Sequence, residues 1–280
     1  MNLARGRVNQ TKRPPGGRSA WAPNRPVDAR TSGVLIAGWA AAAVAVWSAS
    51  PVSTLPAPRE VLGALTDLWW QGGLGPELFT TLKLIAAALG CSLVLSLALA
   101  WGSVIPAVKP ITAGISKLRF LGLTGLLFPF TLATGGGFAL KVALLTFGMT
   151  TFLVTSLARI VAEIPTSQID YVRSLGASEP RVIWETVVRG TLDRTIDAVR
   201  QNVAMGWSMI TMVEGIARSD GGVGALLLNQ NKHFRLAQVY AVLFVILLVG
   251  LLIDAAMGAL AGLVCPHTRF DSTENNRSSS

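Results

Sequence analysis

Histidine and cysteine are almost missing, with two of each in 280 residues. Cys91 lies inside an apolar run and Cys265 at the end of another, without metal-ligand spacing. His233 and His267 stand apart from both and from each other. This scarcity excludes a zinc site and a Cys/His nucleophile pair, and no catalytic or metal-binding group is assigned. Acidic residues are also few, 15 against 24 Lys and Arg, for a net charge of +9. Charged residues of both signs make up 14%, where a soluble domain carries about 25%. There is no G-x-x-x-x-G-K-[ST] phosphate loop, so no ATP chemistry by this chain is expected. No internal repeat is visible.

Hydrophobic residues make up 51% and gather in runs. A bilayer span needs about 20 apolar residues. Six candidates fall at about 33–50, 79–101, 119–134, 138–158, 198–215 and 237–264. The third is interrupted by Pro129 and several glycines, which predicts a kinked or broken helix. The fifth is the most polar. Together, 33–265 reads as one membrane domain of the all-α class. The basic, Pro- and Gly-rich residues 1–32 and the polar residues 266–280 read as disordered tails. "VLIAGWAAAAVAV" followed by "SAS" resembles a cleavable signal, but Pro51 would directly follow the cut.

The positive charge is not spread as a nucleic-acid surface, and no aromatic-basic interleaving occurs, so nucleic acid is not an expected partner. With both termini cytoplasmic, 18 of the 24 basic residues fall on the inside and 6 on the outside. The opposite topology would reverse that bias. The chain is therefore read as a multi-pass membrane protein with both termini in the cytoplasm, in contact with lipid. On the outer side, Val61, Leu62, Leu65, Leu68 and Trp69 fall at helical spacing, a short interfacial helix.

Between spans four and five lies a charged cytoplasmic insert, about 163–194. Pro165 ends the preceding helix. "SQIDYVRSL" begins a short one, which Gly176 stops. Ser178 is placed to cap a second, with Pro180 in its first turn. Val182, Ile183 and Thr186 line one side of that second helix. Arg181, Glu185 and Arg189 stand four apart on another. Such an insert is either a joining loop or a helical pair whose apolar ridge meets a protein partner.

Here the chain resembles the inner-membrane permease subunits of ABC importers, whose loop reads E-A-A, three residues, Gly, nine residues, I-x-L-P. Asp170, Tyr171 and Val172 stand at the E-A-A positions, Gly176 is in register, and "LGAS" surrounds it. Arg189 replaces the loop's proline, and Asp193 stands where a second often follows. "STLPAPREVLGAL", "GGGFALKVALLTFG" and "VEGIARSDGGVGALLLNQNK" are similar to segments of the nitrate/sulfonate/taurine/bicarbonate branch. The resemblance implies a six-span bundle of the type I importer kind. It implies that the insert is a coupling helix docked on a cytoplasmic ATPase dimer that hydrolyses the ATP. It further implies a second permease copy and an extracytoplasmic solute-binding protein. The implied solute is a small oxyanion or organosulfonate such as nitrate, sulfonate, taurine or bicarbonate. The coupling residues implied are Asp170, Arg173, Gly176, Ala177, Ser178, Arg181, Val182, Ile183, Glu185 and Thr186.

Polar groups within spans mark either a translocation path or helix packing. Gln201, Ser208 and Thr211 share one face of span five, and Glu214 lies a turn further out. Lys141 opens span four, placed to reach the outer interface or to meet an anionic solute. Asp254, alone among leucines, is expected to pair with a cation near the cytoplasmic surface. The rival readings are an ion-coupled carrier, which would carry buried acids and repeats, and a membrane-embedded enzyme.

Overall fold

A computed structural model describes residues 29–49 and 55–264. The expected 266–280 tail, Cys265 and most of the 1–32 tail lie outside these residues. Residues 30–32 of that tail, however, belong to the first helix. The described chain forms two compact units, one ending at Pro58 and one beginning at Arg59. Among the described residues all regular structure is helical.

In the first unit, α1 (Ala29–Ser48) is a 20-residue helix rich in alanine and valine. At 1.5 Å per residue it is about 30 Å long, the thickness of a bilayer's hydrocarbon core. The Trp47 indole donates to the Pro56 carbonyl at 3.0 Å.

The second unit begins with α2 (Pro58–Trp70), which buries Val61, Ala64 and Leu68. Leu62, Trp69 and Trp70 stay exposed, so its buried stripe is narrower than the apolar spacing predicts. Next come α3 (Leu74–Gly102), α4 (Lys109–Lys117), a 3₁₀ turn (Leu118–Phe120) and α5 (Leu127–Thr134). Then follow α6 (Gly137–Ala162), α7 (Thr166–Ser174), α8 (Glu179–Ile183) and a π-helical turn (Trp184–Arg189). The described residues end with α9 (Leu192–Ile216), a 3₁₀ turn (Arg218–Asp220), α10 (Val223–Lys232) and α11 (Leu236–Val264).

Four helices are long and apolar enough to cross a membrane: α1, α3, α6 and α11. They correspond to expected spans one, two, four and six. Expected span five is α9, which at 25 residues is long enough. Its Asp193, Arg194, Asp197, Arg200 and Glu214 make it too polar to be found by composition. Expected span three, 119–134, is not one helix. Its only α-helical part, α5, has eight residues, about 12 Å and well short of a bilayer. Gly122 and Gly125 lie in the turn before α5, and Gly135, Gly136 and Gly137 all take positive φ after it. The break is therefore wider than a proline kink.

The core is built by α3, α6 and α9. Leu84, Leu144, Leu145, Met149 and Ile210 pack at one level. Ala100, Leu153, Leu157, Val199 and Val203 pack at the next. In lipid, close van der Waals fit holds helices together better than apolarity does. The α6/α9 contact shows this. A β-carbon on Gly206 would lie 2.7 Å from the Met149 sulfur, and one on Gly148 would lie 3.3 Å from that of Met209. Each helix thus seats its neighbour's methionine over a glycine. On the far side of α9, the Trp207 indole donates to the Ile246 carbonyl of α11 at 3.0 Å.

Candidate functional site

The charged insert folds as the expected helix–turn–helix, with its turn at Gly176. That residue has φ 79°, a left-handed conformation that costs a non-glycine roughly 1–2 kcal/mol. Its N–H donates to the Arg173 carbonyl at 2.9 Å. Arg173 also grips the second helix from the first: Nε and Nη2 donate to the two Glu179 oxygens at 2.8 and 2.9 Å. Asp170 lies 3.5 Å from the same guanidinium. The hydrogen bond from Arg173 holds the Glu179 carboxyl below its ordinary pKa. Glu179 was not singled out from the sequence; its position three residues past Gly176 is the signal that marks it.

Several details differ from the sequence reading. Ser178 occupies the N-cap position of α8, but its side chain makes no capping bond. The second helix is α-helical for five residues only and continues as a π turn. Glu185 pairs with Arg189 at 3.2 Å, while Arg181 is exposed. The largest correction concerns the ridge. Val182 is 2% exposed and Thr186 8%, so both are turned into the chain, and Ile183 is half-buried. The apolar side chains that face outward are Tyr171 on α7, Leu175 just past its end, and Trp184; they are 66, 68 and 56% exposed. A cleft of about 330 Å³ runs between the two arms, lined by Gln168, Tyr171, Val172, Glu185 and Thr186. Ala177 is half-buried in the turn. At the base of the insert, Glu163 meets Arg159 at 3.0 Å and Arg194 at 3.4 Å, closing the ends of α6 and α9 on each other.

The five candidate path residues fall into two separate groups. On α9, Asp193, Asp197, Gln201, Ala204, Ser208 and Met212 are all exposed. Their spacing of three and four residues makes one stripe along the whole helix. Thr211 is half-buried at its edge. The Ser208 and Thr211 hydroxyls bond only to their own helix, at the Met205 and Ser208 carbonyls. Next to the stripe, Arg200 donates to both Asp254 oxygens of α11 at 2.7 and 2.6 Å. This is the cation pairing expected for Asp254. Asn202 points the other way and is 1% exposed.

Glu214 and Lys141 lie on the buried side of the bundle, both with 0% exposure. They meet at the end opposite the insert, around the loop that leads into α10. Glu214 accepts from the Thr81 hydroxyl of α3 at 2.7 Å and from the Gly224 N–H at 2.8 Å. Thr81 accepts from the Val223 N–H at 2.9 Å. The Gly222 N–H donates to Glu77. Lys141 Nζ donates to the Gly221 carbonyl at 2.7 Å. Gly221 and Gly222 have φ 69° and 106°, and a β-carbon on Gly222 would collide with the Glu214 carboxylate. Thr81 and Glu77 were not marked from the sequence, and the loop glycines were marked only as part of the stretch "VEGIARSDGGVGALLLNQNK". Among the described residues no group of three or more His, Cys, Asp or Glu is arranged to hold a metal.

Residues 85–264 match the family model described as binding-protein-dependent transport system inner membrane component. The taurine transport system permease protein TauC of Escherichia coli (strain K12) is 28% identical over 94 residues, 34% of this chain and 34% of that one. The match thus spans about a third of that relative's length. The fold is similar to that in a crystal structure of inward-facing conformations of the MetNI methionine ABC transporter. The TM-score is 0.59 at 16% identity, covering 71% of this chain and 98% of the other.

Proposed function

The chain belongs to the family of binding-protein-dependent transport system inner membrane components, and from that membership we propose that it is the membrane-spanning permease subunit of an ATP-driven importer. The observation that carries the proposal is the α9 stripe. A membrane helix that exposes Asp197, Gln201 and Ser208 along one face is costly against lipid. A water-filled path shared with a second copy of the chain removes that cost. Gln201, Ser208 and Thr211 then line the path, which alternates between inward and outward access. Lys141 and Glu214, closed into the core, serve the loop before α10 instead.

Coupling runs through the insert. Two ATPase subunits hydrolyse the ATP and bind at the insert surface formed by Tyr171, Leu175 and Trp184. Arg173, Gly176, Glu179 and the Glu185–Arg189 pair hold the shape of that surface. The bias of basic residues favours a plasma-membrane topology with the insert and both termini in the cytoplasm. A solute-binding protein then docks at the opposite face. The solute is a small oxyanion or organosulfonate, a class supported by the partial similarity to a taurine permease. An ion-coupled carrier is less well supported, because Glu214 is fully engaged by Thr81 and Gly224.

The test is Ser208→Leu in cells given labelled nitrate, taurine, other sulfonates and bicarbonate. The wild type should import one of these, and the variant should lose that uptake while co-purifying with its ATPase. Normal uptake by the variant would remove α9 from the path. No import of any of the four by the wild type would overturn the solute class.

A further inference from the structure

Three successive backbone N–H groups, of Gly222, Val223 and Gly224, open helix α10. A helix leaves its first four N–H groups without internal partners. These three find theirs on two other helices: Glu77 and Thr81 of α3, and Glu214 of α9. Lys141 of α6 takes the carbonyl just before them, that of Gly221. Thr81 also donates to Glu214, so the contacts form one connected network. The network reaches all three core helices and one end of α10. Burial makes such bonds strong, because an unpaired partner there has no water to turn to. The loop is shaped for it, since β-carbons on Gly221, Gly222 and Gly224 would strike Glu77, Glu214 and the Thr211 backbone respectively.

The far end of α10 turns within three residues into α11 and presents a polar surface. Asn229, Asn231, Lys232 and His233 are exposed there. Phe234 follows with φ 53° and is 85% exposed. One end of a ten-residue helix is therefore clamped to the core, and the other is offered to the surface.

We propose that Glu77, Thr81, Lys141 and Glu214 are positioning residues that make α10 a lever. They bind it rigidly to α3, α6 and α9, so that a partner pressing on its exposed end moves the spans and the spans in turn move it. This rests on the importer reading for the identity of the partner, an extracytoplasmic protein, but not for the existence of the clamp. Thr81 is the best point to break it. Valine there keeps the shape and removes the hydroxyl's bonds to Glu214 and Val223, along with the one it makes to the Glu77 carbonyl of its own helix; serine keeps the hydroxyl.

Cys91 and Cys265 are first replaced by serine. Nitroxide labels are then placed at Lys83→Cys on α3 and Asn231→Cys on α10, both exposed positions. The chain is purified from its host by a tag on itself, together with whatever ATPase accompanies it. The label-to-label distance should be a single narrow peak, at rest and after trapping with ADP and vanadate. Thr81→Ser should preserve the peak, and Thr81→Val should lose it to a broad distribution while basal ATP hydrolysis is unchanged. A Thr81→Val peak as narrow as that of the wild type, or equal broadening in both variants, would overturn the lever. If no ATPase accompanies the chain, the importer reading fails, and the resting-state comparison still decides the clamp.

Discussion

Replacing Trp184 with alanine should weaken ATPase binding by more than any substitution on the ridge that the sequence marked. Trp184 is 56% exposed, which is about 140 Å² if a whole tryptophan presents about 250 Å². Burying that area under a partner is worth about 3.5 kcal/mol at about 25 cal/mol per Å². Alanine retains part of it, so the expected loss is about 2–3 kcal/mol, in the range of an interface hot spot. That corresponds to a dissociation constant about 30- to 150-fold higher. Val182→Ala supplies the contrast. Val182 is already buried in the chain at 2% exposure. Its truncation should therefore cost about 1–2 kcal/mol of the insert's own packing and change binding little. The measurement is a titration of the purified ATPase against the chain in nanodiscs, read by interferometry. Wild-type affinity in Trp184→Ala together with a large loss in Val182→Ala would refute the outward assignment of Tyr171, Leu175 and Trp184 and restore the buried ridge as the docking face.

Arg200→Met should lower the thermal midpoint in detergent by leaving the Asp254 carboxylate unpaired. The drop should be smaller than for a fully buried pair, because both side chains are partly exposed. Adding Asp254→Leu should recover most of it, and a double variant less stable than either single one would mean that the pair is not the cause. Cysteines placed at Leu175 and at Asn231 should react with an impermeant maleimide from opposite sides of the membrane, Asn231 from outside. Reaction of both from outside would reverse the cytoplasmic placement of the insert.

The extent to which the sequence announced this fold follows from which signals are local. The apolar runs that became α3, α6 and α11 needed only their own composition to be read. The turn at Gly176 was legible because a left-handed residue after a short amphipathic stretch is a one-residue decision. The third run was harder. It is apolar enough, but Gly122, Gly125 and the Gly135–Gly137 triplet with positive φ cut its helix to eight residues. Apolarity says that a segment prefers lipid; it does not say that the segment can hold one helical axis across it. The ridge on the second insert helix failed for a related reason. Spacing correctly placed Val182 and Thr186 on one face, but a face has no direction until something packs on it. Here α7 and the chain's own base cover it, leaving Trp184, two residues from both Val182 and Thr186 and so on roughly the opposite side of the helix, to point outward.

Glu214 is the sharpest instance of what spacing cannot supply. It sits three residues past Thr211 and six past Ser208, and a polar face shared with them is the natural reading at helical periodicity. An α-helix turns about 100° per residue, so six residues from Ser208 amount to about 600°, and Glu214 stands about 120° away from that stripe. That third of a turn separates a side chain at the open surface from one with 0% exposure. What the carboxylate does there depends on a hydroxyl 133 positions earlier and an N–H ten positions later. Neither partner is unusual by itself: Thr81 lies in an apolar helix and also bonds its own backbone at the Glu77 carbonyl, and Gly224 belongs to the first turn of α10. Only the antiparallel arrangement of α3 and α9 brings them to the same level. The same arrangement explains why the loop between α9 and α10 is rich in glycine. A side chain at Gly221 or Gly222 would occupy the space of the carboxylates that hold the loop. Each of these glycines is therefore evidence of a close approach by Glu77 or Glu214, and a chain that kept the acids but lost the glycines could not close this corner.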